Sequence, residues 1–410
     1  MKQASGLKAS HAEMRNTNLS LILNLLLQEH ILSRADLSKR TGLTRATVSS
    51  LVDELLTLGY IREIGTTDDG LIGKPAVLLE LHTEKIFAVA VLLQDDSLTV
   101  AKVDLTGQLS CVMKKPLRTI KPVPVTRLMN EMLHTMLRGM EERGQKLAGI
   151  GLSVPSPILD RKLVYSHSLK PLENFNFYDV LAREFRCPIF VENDADAGAL
   201  AESWFGSAAG SPRVYYLIIH HGIGSGFAYD RAPYYGTHKI TPEFGHIVLV
   251  PNGAACFCGN RGCVSAVASD MTLSNYMLNG GQLTDDLYLD MDRLARAVPR
   301  TIQQLMRASA QQMPSYVWDC ADLLGIGLAN LMNTLCPDQI IVSGSIFEIP
   351  GFFDRTVQSA QRSAHPMLSS RMRISRSQFG NDAPLIGAGA FALRELYANP
   401  GAIDAVYGVL

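Results

Sequence analysis

Apolar residues recur with helical spacing in two segments near the start of the chain. The first predicts a helix over residues 18–29 and the second a helix over residues 45–58. The apolar stripe of the second follows the i, i+3, i+4 and i+7 positions: Val48, Leu51, Val52 and Leu55. A helix with this pattern buries one face in a core and leaves its other face available to a partner.

Polar residues at the ends of these segments predict a helix-turn-helix. Ser33 and Asp36 have the spacing of a capping box and begin a short helix between the two longer ones. Thr44 is placed to cap the second long helix. Residues 62–81 match a β-hairpin, so residues 1–82 are predicted to form a winged helix-turn-helix domain.

The side chains around the second long helix are of the kinds that contact DNA. An arginine forks onto a guanine edge, and serine or threonine hydroxyls reach phosphates or bases. The predicted DNA-binding residues are Arg34, Thr44, Arg45, Thr47, Ser49, Ser50 and, in the wing, Lys74. A three-helix module for protein interaction is the alternative, because cations and acids balance within residues 1–82 and leave no overall basic footprint.

Beyond residue 86, short apolar runs alternate with helical segments. The predicted strands are residues 86–93, 98–103, 148–154, 188–191, 214–219 and 339–342. The predicted helices are residues 125–142, 177–185, 195–205, 316–335 and 386–397. This alternation is typical of α/β layers with mostly parallel or mixed sheets.

Length and composition bound the class of protein. A chain of 410 residues exceeds a single hydrophobic core and predicts two or three domains. The net charge of −1 gives no sign of a polyanionic partner, so nucleic-acid binding depends on a local arrangement of charge. A polar N-terminus, the lack of a membrane-length apolar run and an odd number of cysteines predict a cytoplasmic protein without a membrane span.

Four residues in one glycine-punctuated loop have the chemistry of a metal site. They are His246, Cys256, Cys258 and Cys263. Three thiolates and an imidazole complete a tetrahedral Zn²⁺ site and leave no position for water, so the predicted zinc is structural. A set of free thiols near an unrelated histidine is the alternative.

Four motifs together resemble the ROK family of sugar kinases and transcriptional repressors. They are Glu192-Asn-Asp-Ala195, Gly222-Ile-Gly-Ser-Gly226, Glu243-Phe-Gly-His246 and the cysteine loop. With the winged helix, nearly the whole chain resembles ROK repressors of the kind that respond to glucose, N-acetylglucosamine or xylose. The resemblance implies an α/β protein in which an N-terminal winged helix-turn-helix precedes a two-lobed, actin-like (hexokinase-type) ROK domain. We expect a first lobe over residues 83–195, completed by a C-terminal helix near 384–398, and a second lobe with the zinc-binding loop over residues 196–410.

The pair Asn193-Asp194 lies where a predicted strand passes into a helix, the edge at which open α/β sheets bind ligands. An amide beside a carboxylate supplies donors and acceptors for sugar hydroxyls. The resemblance implies that Asn193, Asp194, Glu243 and His246 contact a sugar, with His246 also on zinc and Asp194 at the position of the kinase base. Asp194 as a simple helix N-cap is the alternative, and it does not exclude ligand binding.

The nucleotide-binding segments depart from the family pattern. Residues 90–94 lack the Asp and the glycines of the first phosphate loop, and leucines there block backbone approach to phosphate. His220-His221-Gly222 replaces Gly-Thr-Gly in the second loop, and Ser343-Gly344-Ser345 replaces a run of glycines. Phosphoryl transfer depends on holding those phosphates, so we predict a binding protein in which Asp194 is a vestigial base.

Two further departures, Ser265 for a family Glu and Ser156 for a family Gly, bear on which ligand binds. The sequence predicts a sugar-responsive DNA-binding transcriptional regulator whose partners are operator DNA and a sugar or sugar-phosphate effector. A homodimer or homotetramer is expected, because half-sites in operators pair with symmetric proteins. The alternatives are an active ATP-dependent sugar kinase with a fused DNA-binding domain, and a repressor controlled by a protein such as a sugar-transport component.

Overall fold

The structure is a computed structural model that describes residues 11–66, 76–166, 168–237 and 240–402. Lys74 and the predicted wing turn lie outside the described residues. The described residues form two compact units. Within the described ranges, the first takes in residues 11–154, 160–192 and 388–402, and the second residues 155–159 and 193–387. The division into a winged helix and two lobes at residues 82 and 195 remains a proposal.

Helices make up much of both units. Within the described residues they are α1 (His11–Glu29), α2 (Arg34–Thr41), α3 (Arg45–Leu58), α4 (Pro122–Glu141), α5 (Phe177–Glu184), α6 (Asp194–Trp204), α7 (Val264–Ala268), α8 (Asp270–Leu278), α9 (Asp286–Leu289), α10 (Met291–Met306), α11 (Ser315–Leu335), α12 (Phe352–Ser363), α13 (Pro366–Ser369) and α14 (Ala383–Ala398).

The strands form two five-stranded sheets and two small ones. Within the described residues they are β1 (Leu32–Ser33), β2 (Ile61–Thr66), β3 (Val77–Leu81), β4 (Ile86–Leu93), β5 (Ser97–Asp104), β6 (Leu109–Pro116), β7 (Lys146–Val154), β8 (Ile158–Leu159), β9 (Lys162–Leu163), β10 (Ile189–Asn193), β11 (Arg213–Ile219), β12 (Ile223–Tyr229), β13 (Ala232–Pro233), β14 (Gln339–Ser343) and β15 (Arg373–Arg376).

The predicted winged helix is present at the start of the first unit. Helices α1 to α3 accompany an antiparallel sheet in the order β1-β3-β2, in which β1 lies between α1 and α2 and the other two strands follow α3. The capping box between Ser33 and Asp36 begins α2, and the Thr44 hydroxyl accepts the Thr47 N–H at the start of α3. Helix α1 already includes His11, the first described residue, and so extends further toward the N-terminus than predicted. Its polar first turns lie outside the buried apolar stripe from which the prediction was made.

The first five-stranded sheet has the order β10-β7-β4-β5-β6, with β4 parallel to β7 and antiparallel to β5. The C-terminal part of α14 packs closely against it. A Cβ added at Gly151 of β7 would lie 1.8 Å from the carbonyl oxygen of Ala388, so only glycine permits this approach. The sheet therefore combines strands from the middle of the chain with the helix predicted near its end.

The second sheet has the order β13-β12-β11-β14-β15 and belongs to the second unit. Strand β12 lies against the start of α6, because a Cβ at Gly226 would sit only 2.2 Å from the Ala195 carbonyl oxygen. Helix α11 is a core helix, as predicted, and contributes buried residues such as Leu324, Leu328 and Met332. No helix within the described ranges has both the length and the apolar character needed to cross a bilayer.

Candidate ligand site, metal centre and nucleic-acid interface

Asn193 and Asp194 lie at the junction of β10 and α6. Asn193 is the N-cap: its Oδ1 accepts the N–H groups of Ala195 (2.9 Å) and Asp196 (3.4 Å). Asp194 is the first residue of the helix, so the reading of Asp194 as the cap is wrong. The cap leaves the side-chain carboxyl of Asp194 and the amide nitrogen of Asn193 available for other contacts.

Asp194 has an unusual acidity for a carboxyl at a helix N-terminus. Burial raises its pKa to about 7, although hydrogen bonds from the N–H groups of Ala195 and Asp194 itself oppose the change. The nearby Glu243 carboxyl raises the pKa further through charge repulsion. Asp194 therefore changes charge in the physiological pH range.

Glu243 begins the second ligand segment, which ends in a 3-10 turn over Phe244–His246. Phe244 is buried, and a Cβ at Gly245 would lie 2.2 Å from the Ile223 carbonyl oxygen, so this segment packs tightly on β12. Loss of hydration also raises the pKa of the Glu243 carboxyl, even though the residue stays exposed to solvent. Tight packing of the backbone thus places the Glu243 carboxyl near Asp194.

Strand β12 connects the two carboxyls. A Cβ built on Gly224 would lie 3.9 Å from Asp194 Oδ1, so Asp194 borders this strand directly. The next residue, Ser225, hydrogen-bonds the backbone on both sides of Glu243. The predicted ligand residues Asn193, Asp194, Glu243 and His246 are therefore gathered around one strand of the second unit.

The four predicted metal ligands come together. One ligand atom from each of His246, Cys256, Cys258 and Cys263 lies within 4.8 Å of the others. His246 Nδ1 is 3.6 Å from Cys256 Sγ, and Cys258 Sγ is 3.7 Å from Cys263 Sγ. Tetrahedral zinc, with bonds of about 2.3 Å to sulfur and about 2.0–2.1 Å to nitrogen, requires separations of about 3.6 Å for N–S and about 3.8 Å for S–S.

The loop around this cluster is held from outside. Asp285 accepts the Ala255 N–H at 2.9 Å and pairs with the Arg261 guanidinium at 3.0 Å. Gly262 has φ +73°, and a Cβ there would lie 1.7 Å from the Val250 carbonyl oxygen. The loop backbone is thus fixed at the residues that flank the ligands.

Burial keeps three groups of this cluster in their neutral forms. Burial raises the pKa of the Cys256 thiol, and it raises that of Cys263 to about 11. Burial lowers the pKa of His246, which favours the neutral imidazole that a metal binds. These residues fit Zn²⁺ in donor type and spacing, and a bound ion would displace the thiol protons.

Both segments predicted to have lost phosphate binding have defined conformations. Leu92 and Leu93 lie buried in β4, which passes through a tight turn into β5 with Gln94 N–H bonded to the Ser97 carbonyl at 2.9 Å. In the β11–β12 turn the rings of His220 and His221 stack at 4.1 Å. The backbone N–H of His221 donates to the buried Asp270 carboxylate at 3.3 Å.

Helix α3 exposes much of its N-terminal end. Thr44, Arg45 and Ser50 are exposed, while Thr47 and Ser49 are half-buried. The apolar stripe predicted for this helix is buried, from Val48 to Leu55. Three of the residues predicted to contact DNA, Thr44, Arg45 and Ser50, are therefore exposed.

Arg34 has partners within the protein. Its guanidinium pairs with Asp53 (2.9 Å) and Glu63 (3.5 Å) and donates to the Ser49 carbonyl (3.1 Å). These contacts hold α3 against α2 and β2. Its predicted DNA contact remains a prediction, and so does that of Lys74, which lies outside the described residues.

Sequence reasoning passed over Ser225, Asp270 and Asp285. The signal for Ser225 was its position within the glycine motif of residues 222–226. Asp270 and Asp285 act on residues far from them in the chain, and no local pattern marks such contacts.

Comparisons with known proteins agree with this arrangement. The profile of the ROK family matches residues 95–395, and that of the MarR family matches residues 15–70. The xylose repressor of Bacillus spizizenii is 28% identical over 390 residues, covering 94% of this chain and 97% of that protein. A glucokinase of Halalkalibacterium halodurans is 28% identical over 270 residues, covering 65% of this chain and 82% of that protein.

Comparison with solved structures gives a similar result. The crystal structure of a ROK family transcriptional regulator, a homolog of the E. coli MLC protein, superposes with a TM-score of 0.76. It is 23% identical and covers 94% of this chain and 97% of that one. A MarR-like winged helix here precedes an actin-like domain. With the profile match over most of its length, the chain belongs to the ROK family.

Proposed function

We propose that this protein is a sugar-responsive transcriptional repressor of carbohydrate uptake or catabolism genes. The observation that carries the proposal is the presence, in one chain, of an exposed α3 face and a cluster of carboxyls and an amide around β12. Relatives that include a xylose repressor support the same assignment. Binding to operator DNA goes with a cytoplasmic location.

The ligand cluster is suited to a polyhydroxylated effector. The Asn193 amide nitrogen donates, and the Asp194 and Glu243 carboxylates accept from sugar hydroxyls. His246 faces the cysteines through Nδ1, so its Nε2 is the nitrogen directed elsewhere and available to a hydroxyl. We take D-xylose as the first effector to test, because a xylose repressor is among the relatives.

We infer that the ROK domain binds without phosphorylating. The tight β4–β5 turn and buried Leu92 and Leu93 offer no glycine backbone to a phosphate. In the β11–β12 turn, the His221 N–H is already bonded to Asp270. The family also contains kinases, so turnover with ATP, Mg²⁺ and hexoses is the direct control, and we expect none above background.

We propose that Zn²⁺ in the His246–Cys263 cluster holds the ligand segment in place. The ion would have no open coordination position and would carry no reaction itself. Its effect on ligand binding is indirect, because His246 closes both the metal cluster and the segment that begins at Glu243.

Regulation requires that the effector bind one conformation better than another. We propose a homodimer in which each winged helix contacts one operator half-site, with half-sites about 34–36 Å or a multiple of that apart. A sugar that favours a conformation with a different spacing of the two α3 helices would release the operator.

The test is titration of labelled operator DNA with protein in the presence of a panel of monosaccharides and sugar phosphates. We expect D-xylose or a related sugar to weaken operator binding at least tenfold. Operator affinity unmoved by every sugar would remove the small-molecule effector and favour control by a protein partner, such as a sugar-transport component.

A further inference from the structure

We propose that Ser225 is a positioning residue that fixes Glu243 for the effector. The inference deepens the proposed function, on which it rests for the identity of the ligand. Its structural part, that Ser225 holds the backbone of the ligand segment, stands on the contacts of Ser225 alone.

The contacts of Ser225 enclose Glu243 from both sides. Ser225 lies on β12 with a 5% exposed surface. Its hydroxyl donates to the Pro242 carbonyl and accepts the Phe244 N–H at 3.0 Å. A hydroxyl has one hydrogen and two lone pairs, so it makes both bonds at once.

The backbone around Glu243 has little regular structure of its own. Thr241, Pro242 and Glu243 belong to no helix or strand, and Pro242 has no N–H to donate. Strand β12, in contrast, pairs with β11 along its full length, from Ile223 to Tyr229. Ser225 therefore ties an irregular segment to a rigid strand.

The other end of the segment is fixed by different means. Gly245 fits against the Ile223 carbonyl, and the buried Ser265 hydroxyl accepts the Ile223 N–H at 3.2 Å. Packing thus holds the His246 end. At the Glu243 end the His246 N–H donates to the Glu243 carbonyl at 3.1 Å, and Ser225 adds the two bonds that flank Glu243. Because Gly224 borders Asp194, adjacent residues of β12 set the position of one carboxyl against the other.

Precise placement of a carboxyl matters for recognising hydroxyls. A hydrogen bond weakens steeply once its angle or length departs from the favourable range. Binding residues keep their geometry when neighbouring side chains lock them by hydrogen bonds. Loss of the Ser225 hydroxyl should therefore weaken ligand binding without unfolding the domain.

The experiment compares Ser225→Ala, Ser225→Thr and the control Ser359→Ala with the full-length wild-type protein. Ser359 is a matched buried serine of the same unit, 3% exposed, whose hydroxyl donates to the Asp322 carbonyl at 2.9 Å, away from the ligand residues. The readouts are the D-xylose Kd, amide hydrogen exchange of the peptide containing Phe244, and thermal unfolding.

We expect Ser225→Ala to weaken D-xylose binding at least fivefold and to speed exchange at Phe244 at least tenfold. Ser359→Ala should lose as much thermal stability as Ser225→Ala does. It should leave the D-xylose Kd and the exchange at Phe244 unchanged. Ser225→Thr, which keeps the hydroxyl, should restore the wild-type D-xylose Kd and the wild-type exchange rate at Phe244.

Equal Kd and exchange in Ser225→Ala and Ser359→Ala would overturn the inference, as would failure of Ser225→Thr to restore either readout. If the wild-type protein binds neither D-xylose nor any other sugar of the panel, the proposed effector fails. Exchange at Phe244 then still decides whether Ser225 holds the segment.

Discussion

At the scale of single residues, the proposed ligand site combines one carboxyl that titrates near neutral pH with groups whose geometry is fixed. Asp194 has a pKa near 7 because burial outweighs the hydrogen bonds it accepts. Asn193 takes the helix cap and spares Asp194 from that role. The sequence identifies both residues from their place between strand and helix, but burial, which sets the acidity, is a property of the folded chain.

Replacing Asp194 with Asn should change the pH dependence of stability. The folded-state pKa of about 7 lies above the ordinary aspartate value of 3.8, so the folded protein binds this proton more tightly than the unfolded chain does. The protonated Asp194 carboxyl therefore stabilises the folded state fully below pH 3.8, and this stabilisation is lost as the pH rises through about 7. Asp194→Asn should therefore gain stability relative to wild type between pH 5 and pH 8, by at most about 2–3 kcal/mol.

Urea unfolding of both proteins at the two pH values measures this difference. The free energy of unfolding of the wild type minus that of Asp194→Asn is the quantity compared. If this difference is the same at pH 5 and pH 8, Asp194 titrates normally.

Replacing Cys258 with Ser should release the metal. The variant loses one of four ligands, and structural zinc contributes directly to folding free energy. We expect the zinc content to fall from about one ion per chain to near zero, with a lower unfolding temperature. Elemental analysis is the measurement, and Cys111→Ser, at an exposed cysteine outside the cluster, is the control. Wild-type protein purified without any zinc would contradict the metal assignment.

At the scale of elements, the sequence predicts best what is both regular and half-buried. The caps and stripe of α2 and α3 are confirmed because local hydrogen bonds and one buried face determine them. Strands β6 and β12 are absent from the predicted set for different reasons. β6 is an exposed edge strand without an apolar run, and β12 is rich in the glycines that let it approach α6.

The element-scale prediction concerns α3. Arg45 is exposed at its N-terminal end, and no ion pair with another described residue engages it. Arg45→Ala should weaken operator binding by about 1–3 kcal/mol if it reads a base edge, and leave thermal unfolding unchanged. Arg15→Ala, which removes an arginine already paired with Glu54 at 2.8 Å, is the control for charge loss. Equal losses of operator affinity in the two variants would show that Arg45 contributes only its charge.

Arg34 should behave differently from Arg45. Removing its side chain breaks the pairs with Asp53 and Glu63 and the bond to the Ser49 carbonyl. Because Asp53 and Glu63 are exposed and the Arg34 side chain is partly so, Arg34→Ala should cost no more than about 1 kcal/mol of stability. Chemical denaturation measures it. A loss of operator binding with no loss of stability would instead place Arg34 on DNA.

At the scale of the whole molecule, contacts between residues distant in sequence determine how the elements pack, which local sequence patterns do not indicate. Within the first unit the Tyr60 hydroxyl donates to the Pro400 carbonyl at 2.9 Å, and the Asn16 amide to the Ala398 carbonyl at 3.3 Å. Lys146 Nζ donates to the Leu58 carbonyl at the end of α3. The winged helix is thus packed on the turn that follows α14, and no periodicity in the sequence indicates this contact.

We propose that one chain couples a sugar site to an operator-binding helix. Coupling is reciprocal, so a sugar that weakens operator binding must itself bind more weakly when operator is present, and by the same factor. The most direct test is calorimetric titration of the effector sugar into the protein with and without saturating operator DNA. We predict a sugar Kd at least tenfold higher with operator. An identical Kd in both titrations would contradict the account.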